Sequence, residues 1–178
     1  MRFVAEHRVA VFDRFARHMM ATAENKVFVA IVAVVVVGYV FWSRNWKPVA
    51  ATVGAAAIAV VLGNVLKLII QRPRPPWDSS LIAVNGYAMP STHAMFTVAA
   101  AVALLTSTRG SGSRWWKPAA VAAALAVVGI GVVMVYLGAH WPTDVLVGWP
   151  LGILCGFAVV FVIERASTMW DQRRSPSA

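Results

Sequence analysis

Between two long apolar stretches the sequence reads YAMPSTHAMF, residues 87–96, and further on YLGAHWPTDV, residues 136–145. The chain holds only four histidines, and His93 and His140 stand in these two segments. His140 and Asp144 are four residues apart, with Pro142 between them favouring a helix start. A carboxylate there can accept a hydrogen bond from one imidazole nitrogen. That fixes the tautomer and leaves the other nitrogen free to attack an electrophile such as phosphorus. Pro90, Ser91 and Thr92 also suit the start of a helix, whose unpaired N–H groups attract anions. His93, beside such an anion, can protonate a leaving oxygen. The plainer alternatives are an Asp144 that caps a helix with His140 exposed, and a His93 that follows a polar cap at a membrane interface.

A third segment supplies positive charge. Lys67 stands near the end of an apolar stretch and is followed by LIIQRPRPP, which contains Arg72 and Arg74. An intramembrane lysine is costly and usually functional, although one near a span end also reaches the interface unaided. Pro73, Pro75 and Pro76 break the helix and stiffen the backbone, which holds the arginines in place. Arginine offers a planar fork suited to phosphate oxygens, and lysine a point charge.

The elements that must bring these segments together are membrane helices. The chain has 178 residues, of which 60% are hydrophobic, more than in ordinary soluble domains. Apolar spans are expected over about 27–43, 49–70, 93–107, 118–137 and 144–163, each comparable with a hydrocarbon core of about 30 Å. Trp42, Trp46, Trp115, Trp116, Trp141 and Trp170 fall near span ends, as interfacial aromatics do. Before the spans, Val4, Val11, Phe12, Phe15 and Met19 recur at roughly helical spacing among charged residues. That pattern predicts an amphipathic helix lying at the interface. The charges at Arg2, Glu6, Arg8 and Asp13 argue against a secretory signal there.

The fold class expected is therefore all-α integral membrane, with about five transmembrane helices plus an N-terminal amphipathic interfacial helix. The divisions are an interfacial segment over 1–26, a membrane domain over 27–165 and a polar tail over 166–178. Five spans put the 71–92 and 138–143 loops on one face together with the N-terminus. The opposite face carries Arg44, Lys47, Arg109, Arg114, Lys117, Arg165, Arg173 and Arg174, which the positive-inside rule makes cytoplasmic. The basic N-terminal segment votes the other way. The net charge of +9 is spread among loops and ends, a pattern for anionic lipid head groups rather than nucleic acid. The single cysteine, Cys155, lies in an apolar run and reads as a small buried hydrophobe. Nothing in the pattern speaks to oligomeric state.

Taken together, these residues resemble the type 2 phosphatidic acid phosphatase superfamily of membrane phosphatases. Its first block, Lys, six residues, then Arg-Pro, matches Lys67, Arg74 and Pro75. Its second, Pro-Ser-Gly-His, matches Pro90, Ser91 and His93, with Thr92 in place of glycine. The end of its third, Ser-Arg, five residues, His, three residues, Asp, matches His140 and Asp144. The resemblance covers about 60–165 and implies that His140 is a nucleophile forming a phosphohistidine, oriented by Asp144, with His93 as general acid. It implies that Lys67, Arg74, Ser91 and the backbone near Thr92 hold phosphate, and that no metal or other cofactor is needed. The Ser-Arg pair of the third block falls instead on Val133 and Met134, which cannot grip phosphate, and Arg72 is a candidate substitute.

The five spans with an amphipathic lead resemble the bacterial undecaprenyl-diphosphate phosphatases of this superfamily. The expectation is hydrolysis of a lipid phosphate or diphosphate, polyprenyl diphosphate favoured, on the extracytoplasmic face of a bacterial plasma membrane. Phosphatidic acid, phosphatidylglycerophosphate or a polyprenyl-sugar phosphate are alternative substrates. A non-catalytic lipid-phosphate binding or transport protein is the alternative that Met134 motivates.

Overall fold

The computed structural model describes residues 4, 6–27, 31, 34, 38, 44–76, 80–111 and 114–174. The first expected span, over 27–43, lies outside them apart from scattered positions, as do Trp42 and residues 175–178. The described residues form five α-helices: α1 (Ala10–Glu24), α2 (Lys47–Ile70), α3 (Thr92–Thr108), α4 (Trp116–Tyr136) and α5 (Pro142–Arg174). A short 3₁₀ turn, Arg109–Ser111, follows α3.

Helices α2, α4 and α5 are long and apolar enough to cross a membrane, while α3 is shorter at 17 residues. At 1.5 Å per residue α3 spans only about 25 Å. Exposed Val61, Ile69, Val121, Leu125, Leu154 and Phe161 on the outer faces suit lipid, not water. The protein is an all-helical integral membrane bundle, as the hydropathy led one to expect. Helix α5 runs unbroken past 165, so residues 166–174 of the expected polar tail extend the last helix.

Local chemistry explains the boundaries that matter here. Gln71 ends α2 in the left-handed region at φ 51°, with its N–H bonded to the Lys67 carbonyl at 3.0 Å. The Arg72–Pro76 run then has three prolines that cannot donate to a helix ladder. Ser91 caps α3, its hydroxyl accepting from the Ala94 N–H. Gly138, at φ 76°, turns the chain out of α4 toward α5.

Helix α3 is the centre of the bundle and packs chiefly on α2 and α5. Small residues permit the approach. Ala51, Ala55, Ala59 and Gly63 repeat every four residues along one face of α2 and are all buried. On α5 the close contact falls at Gly148, Gly152 and Gly156. A methyl at Gly152 would come within 2.3 Å of the Met95 carbonyl oxygen.

Helix α1 docks against the end of α4. Ala16 is fully buried, with Met19 and Met20 packed on the cluster of Ala94, Val133, Met134, Leu137 and Val145. The Tyr136 hydroxyl donates to Asp13 Oδ1 at 2.5 Å and accepts from the Val9 N–H at 3.2 Å. Phe12 meets the Tyr136 ring edge-on at 4.6 Å. The expected amphipathic helix is present, but its docked face runs through Ala16 and Met20, and Val11 and Phe15 stay exposed.

Candidate active site

Two helix-entry loops meet at one end of the bundle. The Ser91 N–H donates to the Asp144 carbonyl at 3.0 Å, and the Ala88 N–H to the Arg72 carbonyl at 2.9 Å. These bonds join the start of α3 to the start of α5 and to the strap that leaves α2. A cavity of about 590 Å³ opens beside the junction. Lys67, Arg74, Thr92, His93 and His140 all line it. The polar residues that sequence spacing singled out on three separate segments thus converge.

The two cavity cations are held by backbone oxygens. Lys67 Nζ donates to the Tyr87 carbonyl at 2.9 Å and reaches that of Ala88 at 3.5 Å. Arg74 Nε donates to the Gly86 carbonyl at 3.1 Å, and its Nη1 to the Ala139 carbonyl at 2.6 Å. An ammonium has three donors and a guanidinium five, so both groups keep N–H bonds for an incoming oxyanion. Burial lowers Arg74 from its ordinary value, with Asp144 opposing. The Thr92 hydroxyl is buried and makes no hydrogen bond. An unpaired buried hydroxyl of this kind costs free energy.

His140 is buried, and fully buried Asp144 stands behind it. His140 Nδ1 lies 3.5 Å from Asp144 Oδ2. That is the outer limit of a hydrogen bond, and the geometry misses one, leaving Nδ1 buried without a partner. The contact is electrostatic and can tighten once the imidazole takes up charge. Burial holds the imidazole below the ordinary histidine range; Asp144 opposes this, and Lys67 and Arg74 reinforce it. The Asp144 Oδ2 atom also accepts from the Trp141 N–H at 2.8 Å. Asp144 thereby does at the α5 start what the acidic residue of a capping box does. Asp144 therefore caps α5, while His140 beside it is buried rather than exposed.

Two residues read from the sequence as phosphate ligands lie off the cavity wall. Ser91 is fully buried at the α3 cap. Arg72 turns away from the cavity, its Nη1 2.9 Å from Asp144 Oδ1 and 2.6 Å from Thr143 Oγ1. The position of the third-block arginine, Met134, is buried against the cavity with no cation in its place. Sequence reasoning did not single out Asn64, which also lines the cavity. Its signal was available: Asn64 precedes Lys67 by three residues and shares its helix face. Met20 of α1 lines the cavity too, and no local pattern announced that.

Fold and site together define a membrane-embedded helix bundle with a cationic, two-histidine cavity at one end. Residues 48–167 match the PAP2 superfamily, and the chain belongs to that family, as its three sequence blocks led one to expect. It is similar to an undecaprenyl-diphosphatase of Sulfolobus acidocaldarius, 34% identical over 109 residues, covering 58% of this chain and 49% of that protein. It is similar to phosphatidylglycerophosphatase B of Bacillus subtilis, 28% identical over 137 residues, 72% of this chain and 64% of that one. The chain thus spans about half to two thirds of the length of these relatives. Its fold is like that of a transmembrane PAP2-type phosphatidylglycerolphosphate phosphatase from Bacillus subtilis, with a TM-score of 0.78 at 23% identity. That likeness covers 92% of this chain and 82% of the other, and at this identity it speaks for the fold.

Proposed function

We propose that the protein hydrolyses a lipid phosphate or diphosphate without a metal ion, through a phosphohistidine on His140. The observation that carries this reading is the cavity that gathers Lys67, Arg74, Thr92, His93 and His140, with Asp144 behind the His140 ring. Nδ1 faces Asp144, so Nε2 is the attacking atom. Lys67 and Arg74 grip the non-bridging oxygens, where donors aimed at developing charge contribute most. Nε2 bonds to phosphorus as the bond to the leaving oxygen breaks, and His93 supplies the proton to that oxygen. His93 then takes a proton from water, whose oxygen displaces Nε2 from phosphorus and releases inorganic phosphate. Asp144 stabilises the imidazolium that forms in the first step.

The apolar part of the cavity, Met20, Leu68, Val84 and Met134, favours a substrate whose phosphate carries a hydrocarbon chain. The named activities of the relatives, on undecaprenyl diphosphate and phosphatidylglycerophosphate, support the lipid class. Polyprenyl diphosphate is the first choice, with the site on the extracytoplasmic face of a bacterial plasma membrane. One observation favours a second reading: Met134 leaves the cavity without a third cation, as suits a protein that binds lipid phosphate without turnover. The test is phosphate release by the purified chain from a panel of lipid phosphates and diphosphates, with and without chelator. Release that survives chelator and vanishes in His140→Ala supports the phosphatase. Tight binding with no release supports the binder, and loss of activity with chelator rejects the metal-free mechanism.

A further inference from the structure

Arg72 and Arg74 are two residues apart in one proline-bound strap, yet they serve different partners. Arg74 lines the cavity. Arg72 points at Asp144, which stands behind His140. Its Nη1 stands 2.9 Å from Asp144 Oδ1, and its guanidinium lies over the Trp141 ring at 5.5 Å. The Trp141 indole N–H donates to the Pro73 carbonyl at 3.0 Å, so strap and α5 entry are latched from both sides. The Asp144 carboxylate has no exposed surface, whereas the Arg72 side chain is 31% exposed. A buried carboxylate needs a counter-charge, and removing one partner of such a pair is strongly destabilising to that geometry. Among the described residues Arg72 is the only arginine or lysine paired with it. One carboxylate oxygen is therefore anchored by Arg72 and the other by the Trp141 N–H, which leaves a single orientation toward His140.

From this geometry we infer that Arg72 is a positioning residue that acts through Asp144, and that it does not replace the missing third-block arginine as a phosphate ligand. The inference rests on the phosphatase reading for its kinetic consequences, but not for its binding consequences. With Arg72 committed to Asp144, the cavity holds phosphate with Lys67 and Arg74 alone.

The test compares Arg72→Gln, Arg72→Lys, Arg74→Gln, Asp144→Asn and the Arg72→Gln/Asp144→Asn double variant in the full chain. The probes are dioctanoyl phosphatidate and farnesyl diphosphate in detergent for turnover, and inorganic phosphate for its effect on the melting temperature. Arg72→Gln should lower kcat by about 100-fold with KM changed less than twofold, and Arg72→Lys should recover part of that loss. In the Asp144→Asn background the same substitution should cost less than about threefold, because residues acting through one another are not additive. Arg74→Gln should instead weaken KM and the phosphate-induced melting shift. Parallel losses of KM and phosphate binding in Arg72→Gln, with additive costs in the double variant, would overturn the assignment. If the wild type turns over neither probe nor any lipid of the wider panel, the phosphatase reading fails on its own. The phosphate-induced shift then decides alone: retained in Arg72→Gln it supports the assignment, and abolished there it overturns it.

Discussion

The backbone N–H of Ser91 and the carbonyl of Asp144 are bonded at 3.0 Å, so the cap of α3 is joined directly to the first turn of α5. His93 lies in the first turn of α3, and His140 stands two residues before α5 begins. Whatever disturbs the helix pair below this junction should disturb the spacing of the two imidazoles. A methyl at Gly148 would meet the Ser91 carbonyl at 2.9 Å, and one at Gly152 the Met95 carbonyl at 2.3 Å. Gly152→Ala should lower stability by about 1–3 kcal/mol, the usual cost of overpacking, and reduce activity with it. Gly129→Ala is the control, since its methyl would meet nothing within 4 Å. Melting curves of the two variants check the contrast; equal melting temperatures would reject the close helix contact.

Histidine roles separate on mutation. His140→Ala should abolish phosphate release, and His93→Ala should lower it by about 10²–10⁴-fold, the usual contribution of a positioned acid. Single-turnover assays read both. A His140→Ala protein with wild-type turnover would remove the nucleophile from the proposal.

The pH profile carries the sign of the His140 environment. Attack needs the neutral imidazole, and burial holds the group below the ordinary histidine value of 6.5. The midpoint of the acid limb of kcat/KM should therefore fall below pH 6.5. The same depression means that His140 favours the fold above pH 6.5 and that this contribution is lost as the pH falls toward its folded value. An acid limb centred above 6.5 would contradict this reading.

Met134 is the place to add charge. It lines the cavity where the third block of the family carries arginine. Met134→Arg should tighten inhibition by inorganic phosphate by about tenfold, within the range of a charge-assisted hydrogen bond. Inhibition constants measure it directly, and an unchanged constant in a folded variant would show that the side chain there does not reach the phosphate.

The docking of α1 is testable through Tyr136. Tyr136→Phe removes the bond to Asp13 and should cost about 1 kcal/mol. Because Met20 reaches the cavity wall from the same helix, KM should rise while kcat changes little. Limited proteolysis within α1 reads the loosening.

Much of this protein was legible along the chain because the governing rules are local. Apolar runs of membrane length mark α2, α4 and α5, and prolines at 73, 75 and 76 end the strap's helical neighbour wherever it packs. The four-residue step from His140 to Asp144, and the Pro-Ser-Thr-His entry, are local too, and both lead to cavity or support positions in the fold.

What local rules could not settle was the direction of each side chain once distant segments close. Arg72 and Arg74 have the same chemistry and the same proline neighbours, and only the arrival of Asp144, 72 positions away from Arg72, separates their tasks. The docked face of α1 is likewise set by the small Ala16 fitting the end of α4, where bulky Val11 and Phe15 would not lie as close. Periodicity and helix-breaking chemistry belong to the chain itself. Which charge faces the substrate and which braces the machinery is decided by partners that only tertiary packing delivers.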